Sequence, residues 1–201
     1  MEISMLITMV LSILLIVGVI YSIFKMFENS KPTTESIVLL AILIATASIG
    51  RLILISIPSV NLQSFIVIMV GIVFGKKEGF IVGSLSALVT AMILGIGPWV
   101  VFQMIGWGLM GLTAGLIAEK LDNIVFRVAF GLAWGLLYGW IADLSGIFYL
   151  GSINLGSVLG LFISSFPFDM LHGVSNAVLL AVFYNWFKKI FLRSKTKYLP
   201  Q

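Results

Sequence analysis

The feature that most constrains this chain is its succession of long apolar runs, over residues 3–24, 36–57, 62–74, 79–94, 99–118, 124–145 and 166–187. Hydrocarbon offers no partner to a backbone N–H or C=O, so only helices or a closed barrel can cross a bilayer. Barrel strands alternate over about ten residues, whereas these runs are unbroken, which selects helices. Composition agrees, with 60% hydrophobic and 10% charged residues, where a soluble domain holds about half and a quarter. The expectation is an all-α membrane protein of seven spans.

The first run has Glu2 as its only early charge and no small-residue cleavage site, so it reads as a retained helix rather than a signal peptide. The 62–74 run is short. Residues 146–161 are interrupted by glycine and serine and read as an outer loop with a short helix. Thr33-Thr-Glu-Ser36 offers residues that start helices. No linker is long enough to separate two folding units. Residues 1–30 read as an additional N-terminal helix and loop, 31–190 as a six-helix membrane domain, and 191–201 as a basic tail.

Twelve lysines and arginines give the chain a net charge of +4. With seven spans, eleven fall on one side: Lys25, Lys31, Lys76, Lys77, Lys120, Arg127, Lys188, Lys189, Arg193, Lys195 and Lys197. The positive-inside rule then puts the N-terminus outside and the C-terminus in the cytoplasm. Their place at helix ends explains the basic residues without nucleic acid. The chain has no cysteine, which excludes disulfide and thiolate chemistry. Small residues recur at helical spacing, as in Gly71, Gly75, Gly79, Gly83 and in Gly131, Gly135, Gly139. Such rows let helices approach closely in lipid.

Only Arg51 falls apart from the other basic residues, and it has company. At about 1.5 Å per residue, Arg51, Gln103, Asp143, Asp169 and His172 all reach the outer third of a core about 30 Å thick. Asn176 lies deeper, and Asn61 and Gln63 open the third span on the same side. Trp99 follows the turn Gly95-Ile-Gly-Pro98, one helical turn before Gln103. Polar groups confined to one half describe a pocket open to the outside, not a pathway across the membrane. Substrate-binding candidates are therefore Arg51, Asn61, Gln63, Trp99, Gln103, Asp143, Asp169, His172 and Asn176. Arg51 could equally form a structural ion pair with Asp143 or Asp169, and Trp99 could be a belt aromatic. One histidine with two distant carboxylates makes a poor metal site. No catalytic motif is present, neither HExxH nor GxSxG nor a P-loop. An intramembrane enzyme using Asp143, Asp169 and His172 is therefore a minor alternative. A stand-alone secondary transporter would need inverted repeats and broken helices.

Taken together, Ala41-xxx-Ala45, Pro58-Ser-Val-Asn61-Leu-Gln, the Gly-Pro-Trp99 turn and the six-helix core resemble the substrate-binding (S) component of energy-coupling factor (ECF) vitamin transporters. The run from Gly95 through Gln103 to Gly111 is most similar to cobalamin-specific members. The resemblance implies capture of a vitamin, with cobalamin as the expected ligand and riboflavin, folate or a queuosine-type compound as alternatives. It implies docking through Ala41 and Ala45 to a transmembrane coupling subunit, with two cytoplasmic ATPases hydrolysing ATP and no cofactor intrinsic to this chain. An S component usually has six helices, so the N-terminal helix is an addition.

Overall fold

The computed structural model describes residues 3–28, 32–150 and 152–198. Lys31, the boundary drawn at residues 30 and 31, and the last three residues of the tail lie outside them. The described chain is all-helical: α1 (Ile3–Glu28), α2 (Thr34–Ile53), α3 (Leu62–Phe74), α4 (Lys76–Leu94), α5 (Trp99–Leu116), α6 (Ile124–Asp143) and α7 (Leu155–Tyr198). Short 3₁₀ turns at Lys120–Asp122 and Leu144–Tyr149 flank α6. Five helices are long and apolar enough to cross a membrane, namely α2, α4, α5, α6 with its following turn, and α7.

The helix that organises the rest is the shortest. α3 has 13 residues, about 20 Å at 1.5 Å per residue, too short for a hydrocarbon core of about 30 Å. It need not face lipid. Every residue from Gln63 to Gly71 is buried, and α2, α4, α5 and α7 surround it. A helix apolar on all sides belongs in such an interior. Asn61 starts it, its side chain accepting the Gln63 N–H at 2.9 Å. Thr33 and Asn123 cap α2 and α6 in the same way.

The glycine rows set two close contacts. A Cβ on Gly83 would lie 2.2 Å from the Trp107 carbonyl oxygen, and one on Gly111 2.2 Å from that of Gly79, so α4 and α5 touch backbone to backbone. Gly135 does the same for α6 and α7, its virtual Cβ 2.1 Å from the Gly173 nitrogen.

Three expectations change. The segment read as an outer loop is a 3₁₀ turn followed from Leu155 by the start of α7, which runs 44 residues. α7 passes through Pro167, at the loss of one backbone bond. The basic tail read over 191–201 continues the same helix as far as Tyr198, tied down where Lys195 Nζ donates to the Val73 carbonyl at 2.7 Å. Arg127, counted with the basic residues at helix ends, is turned into the bundle. It is 4% exposed and donates to the carbonyls of Leu121, Asp122 and Leu180 while lying over the Tyr184 ring.

α1 packs against α5, with Ile23 buried and Ile16, Val19 and Ile20 against the core. Ala41 and Ala45 remain exposed on α2, flanked by exposed Val38, Ile42 and Ile49.

Candidate functional site

At the end of the bundle where α2 and α6 finish and α3 and α5 begin, a cavity of about 340 Å³ opens. Arg51 of α2, Asn61 at the start of α3, Gln103 of α5, Asp143 of α6, and Asp169 and His172 of α7 all line it. So do Trp107, Tyr138, Ser165 and Phe168. Below it the bundle is closed by apolar packing: Met69, Met110, Ala114, Leu121 and Leu180 are fully buried. The cavity is a dead end.

Among the described residues Arg51 makes no ion pair. Its Nη1 donates to Thr90 Oγ1 at 3.0 Å and to Gln103 Oε1 at 3.2 Å, and its guanidinium lies 4.8 Å from the centre of the Trp107 ring. All three partners are neutral, so the charge stays available to the cavity. Across the cavity two carboxylates meet. Ser165 Oγ lies 2.5 Å from Asp143 Oδ2 and 3.1 Å from Asp169 Oδ2. Its one proton cannot satisfy both, and the Phe162 carbonyl at 3.1 Å is a third acceptor. Gly139 makes room for this arrangement, since a Cβ there would fall 1.9 Å from Asp169 Oδ1. His172 is 5% exposed, with Nε2 2.7 Å from Ser64 Oγ and its ring edge-on to Tyr138. Ser64 Oγ also accepts the Trp107 indole N–H at 2.9 Å. Among the described residues no group of three or more His, Cys, Asp or Glu side chains is arranged to hold a metal ion.

Three sequence candidates are not brought to the cavity. Gln63 is fully buried, its Nε2 donating to Ser86 Oγ at 3.0 Å and its Oε1 unpartnered. It lies two positions beyond Asn61, enough in a helix to turn it inward to α4. Asn176 sits one turn below His172, fully buried, its amide 3.5 Å from the Gly131 carbonyl. Trp99 is 38% exposed and folds back over its own turn, where a Cβ on Gly97 would meet its ring at 2.2 Å. Gly95 carries that turn with φ 116°, a conformation side chains disfavour. Conversely, Trp107, Tyr138, Ser64 and Ser165 line or support the cavity without having been candidates. Their residue types are ordinary in apolar helices, and only Trp107, one turn beyond Gln103, carried a signal in its spacing.

Residues 30–189 match the family described as ECF-type riboflavin transporter, S component. The chain is also similar to the thiamine precursor transporter HmpT of Lactococcus lactis subsp. cremoris (strain MG1363), at 29% identity over 134 residues that cover 61% of this chain and 80% of the relative. No solved structure matches. The match spans α2 to α7 and most of the described bundle, and the five long apolar helices make the protein a multi-pass membrane protein. The chain thus belongs to the family of S components of ECF-type riboflavin transporters, whose members are transport components rather than enzymes.

Proposed function

We propose that this chain captures a compact heteroaromatic micronutrient from outside the cell and hands it to an ATP-driven importer. The observation that carries this reading is the dead-end cavity, with polar side chains from α2, α5, α6 and α7 at its mouth and a sealed apolar core beneath. A channel or proton relay needs polar groups at successive depths. A capture site needs them at one. With the basic residues of α4, α6 and α7 gathered at the opposite end of the bundle, the positive-inside rule turns the cavity outward.

Size and shape bear on the ligand. At about 340 Å³ the cavity is near the lower end of small-molecule sites, which run from about 300 to 1,000 Å³. A single or fused heterocycle suits it, stacked among Trp107, Tyr138 and Phe168. The cobalamin expectation has no support from the relatives, and cobalamin, a corrin carrying amide side chains and a nucleotide loop, is far larger than this volume. A thiamine precursor, the ligand class in the name of the Lactococcus relative, or riboflavin fits better. S components of this family work with a membrane coupling subunit and ATPases. In this reading the ATP is hydrolysed by those partners, Ala41 and Ala45 form the docking face, and the loaded chain topples in the membrane to release its ligand. Since α1 lies against α5, it leaves that face clear.

The test is equilibrium binding by the purified chain, with a thiamine-type aminopyrimidine, riboflavin, folate, a queuosine-type base and cobalamin as probes. Sub-micromolar binding of one ring-sized probe, together with co-purification of a coupling subunit and ATPases, is expected. Binding of none, or of cobalamin alone, overturns the proposal.

A further inference from the structure

The chain contains one histidine, His172, and its surroundings dictate which of its nitrogens carries a proton. An indole nitrogen can only donate, so in the 2.9 Å bond from Trp107 the Ser64 oxygen is the acceptor. The Ser64 hydroxyl proton must go elsewhere. Ser86 and Thr90 return theirs to carbonyls of their own helix. Ser64 has no such bond among the described residues, and the acceptor within reach is His172 Nε2, at 2.7 Å. The donors therefore run in one direction, from Trp107 to Ser64 to His172. Nε2 accepts, and the proton of the neutral ring sits on Nδ1. That nitrogen has no protein partner among the described residues, on a side chain that is 5% exposed and lines the cavity.

Three residues earlier on the same helix face stands Asp169, 7% exposed and also lining the cavity. Residues three apart on a helix are neighbours. Asp169 competes for the single Ser165 proton with Asp143 and the Phe162 carbonyl, at 3.1, 2.5 and 3.1 Å, so a carboxylate oxygen there still seeks a donor. We propose that the Trp107–Ser64 relay locks His172 as an Nδ1–H donor and that, beside the acceptor Asp169, it selects ligands with a ring nitrogen next to an amino group. Such an edge, found on aminopyrimidines, offers an acceptor to His172 and a donor to Asp169. Ser64 and Trp107 act as positioning residues, since neither need touch the ligand. The ligand half of this proposal rests on the micronutrient reading above; the tautomer half does not.

The experiment is ¹⁵N NMR of the imidazole in the full chain, purified in detergent without ligand. With a single histidine the signals need no assignment. Free imidazole side chains in water favour the Nε2–H form, so the expected Nδ1–H pattern is not the default. An Nε2–H ring or an imidazolium at neutral pH overturns the relay. Ser64→Ala should return the ring toward Nε2–H and weaken binding of a hydroxymethyl aminopyrimidine about tenfold, the worth of roughly one net hydrogen bond. Ser64→Thr, which keeps the hydroxyl, should restore both. An unchanged spectrum in folded Ser64→Ala also overturns the relay. The amino probe should bind at least about tenfold tighter than its oxo counterpart, whose edge reverses donor and acceptor. Equal binding, or binding of riboflavin with neither pyrimidine, overturns the selected edge and leaves micronutrient capture standing. If no micronutrient binds, the capture reading fails, and the ligand-free spectrum still decides the relay.

Discussion

Gly135 and Gly139 lie one turn apart on the same face of α6, yet alanine at each should produce opposite phenotypes. At Gly135 the new Cβ would be 2.1 Å from the nitrogen and 2.2 Å from the Cα of Gly173. Both are backbone atoms of α7, so relief requires the two helices to separate. Overpacking of that kind costs about 3 kcal/mol, and at roughly 2–4 °C per kcal/mol the unfolding midpoint should drop by about 6–12 °C. At Gly139 the Cβ would instead meet Asp169 Oδ1 at 1.9 Å. That atom ends a flexible side chain and can retreat into the cavity, so the midpoint should move by less than about 3 °C. The retreat of about 1.5 Å, to ordinary contact near 3.4 Å, breaks the 3.1 Å bond from Ser165. Ser165 keeps Asp143 and the Phe162 carbonyl as acceptors, so the fold loses little, while displacing the Asp169 acceptor costs the ligand about one net hydrogen bond, roughly tenfold in affinity. Thermal unfolding of the detergent-solubilised variants, read by tryptophan fluorescence, separates the two, with titration of ligand into each. Equal destabilisation by both substitutions, or unchanged affinity in Gly139→Ala, would refute the assignment of Gly135 to packing and Gly139 to the site.

Three further outcomes are expected. Gln103→Ala should weaken binding by about tenfold through loss of the Arg51 contact, while Trp99→Ala, which removes a ring lying on its own turn, should leave affinity within about twofold; a larger loss in Trp99→Ala would return that residue to the site. Ala41→Trp and Ala45→Trp should abolish cellular uptake yet spare ligand binding by the isolated chain, because both side chains are exposed away from the cavity; uptake at normal rates would move the docking face elsewhere. Asp122, outside the spans, has its carboxyl held below the usual range by hydrogen bonds from Lys188 and Tyr184. A depressed carboxylate stabilises the fold above its unfolded pKa and loses that contribution as pH falls through the folded value. The small stability gap between the wild type and Asp122→Asn, about 0.5 kcal/mol for so exposed a pair, should therefore close below the ordinary carboxylate range near 3.8, and a gap that persists there would show the bond to be incidental.

How far each element could be read in advance follows from where its free energy comes from. α3 was legible to the residue, because an apolar run between Asn61 and Gly75 carries both its start and its stop. α7 was not. Gly156, Gly160 and Pro167 lower local helix preference, and the basic residues past 187 look like solvated tail, yet the helix runs through all of them. Packing against α6 and the Lys195 bond to Val73 outweigh local propensity there. For the site, depth along each helix gathered Arg51, Gln103, Asp143, Asp169 and His172 at one end. Helix rotation decided the rest. It turned Gln63 to Ser86 and Asn176 to Gly131, and it brought Trp107 and Ser64 to His172.

The sequence alone determined that this chain is a bundle of membrane helices with its polar side chains collected toward one end. Hydrophobic run length and the cost of polar groups in lipid are properties of each segment taken singly. Only the tertiary structure decided that Arg51 spends its hydrogen bonds on neutral partners, that two aspartates compete for one serine proton, and that the histidine ring has a defined donor and acceptor. Those facts depend on the facing of six segments, α2 to α7, toward one another, and facing is set by backbone contact at glycines such as Gly83, Gly111 and Gly135, whose partners lie on other helices.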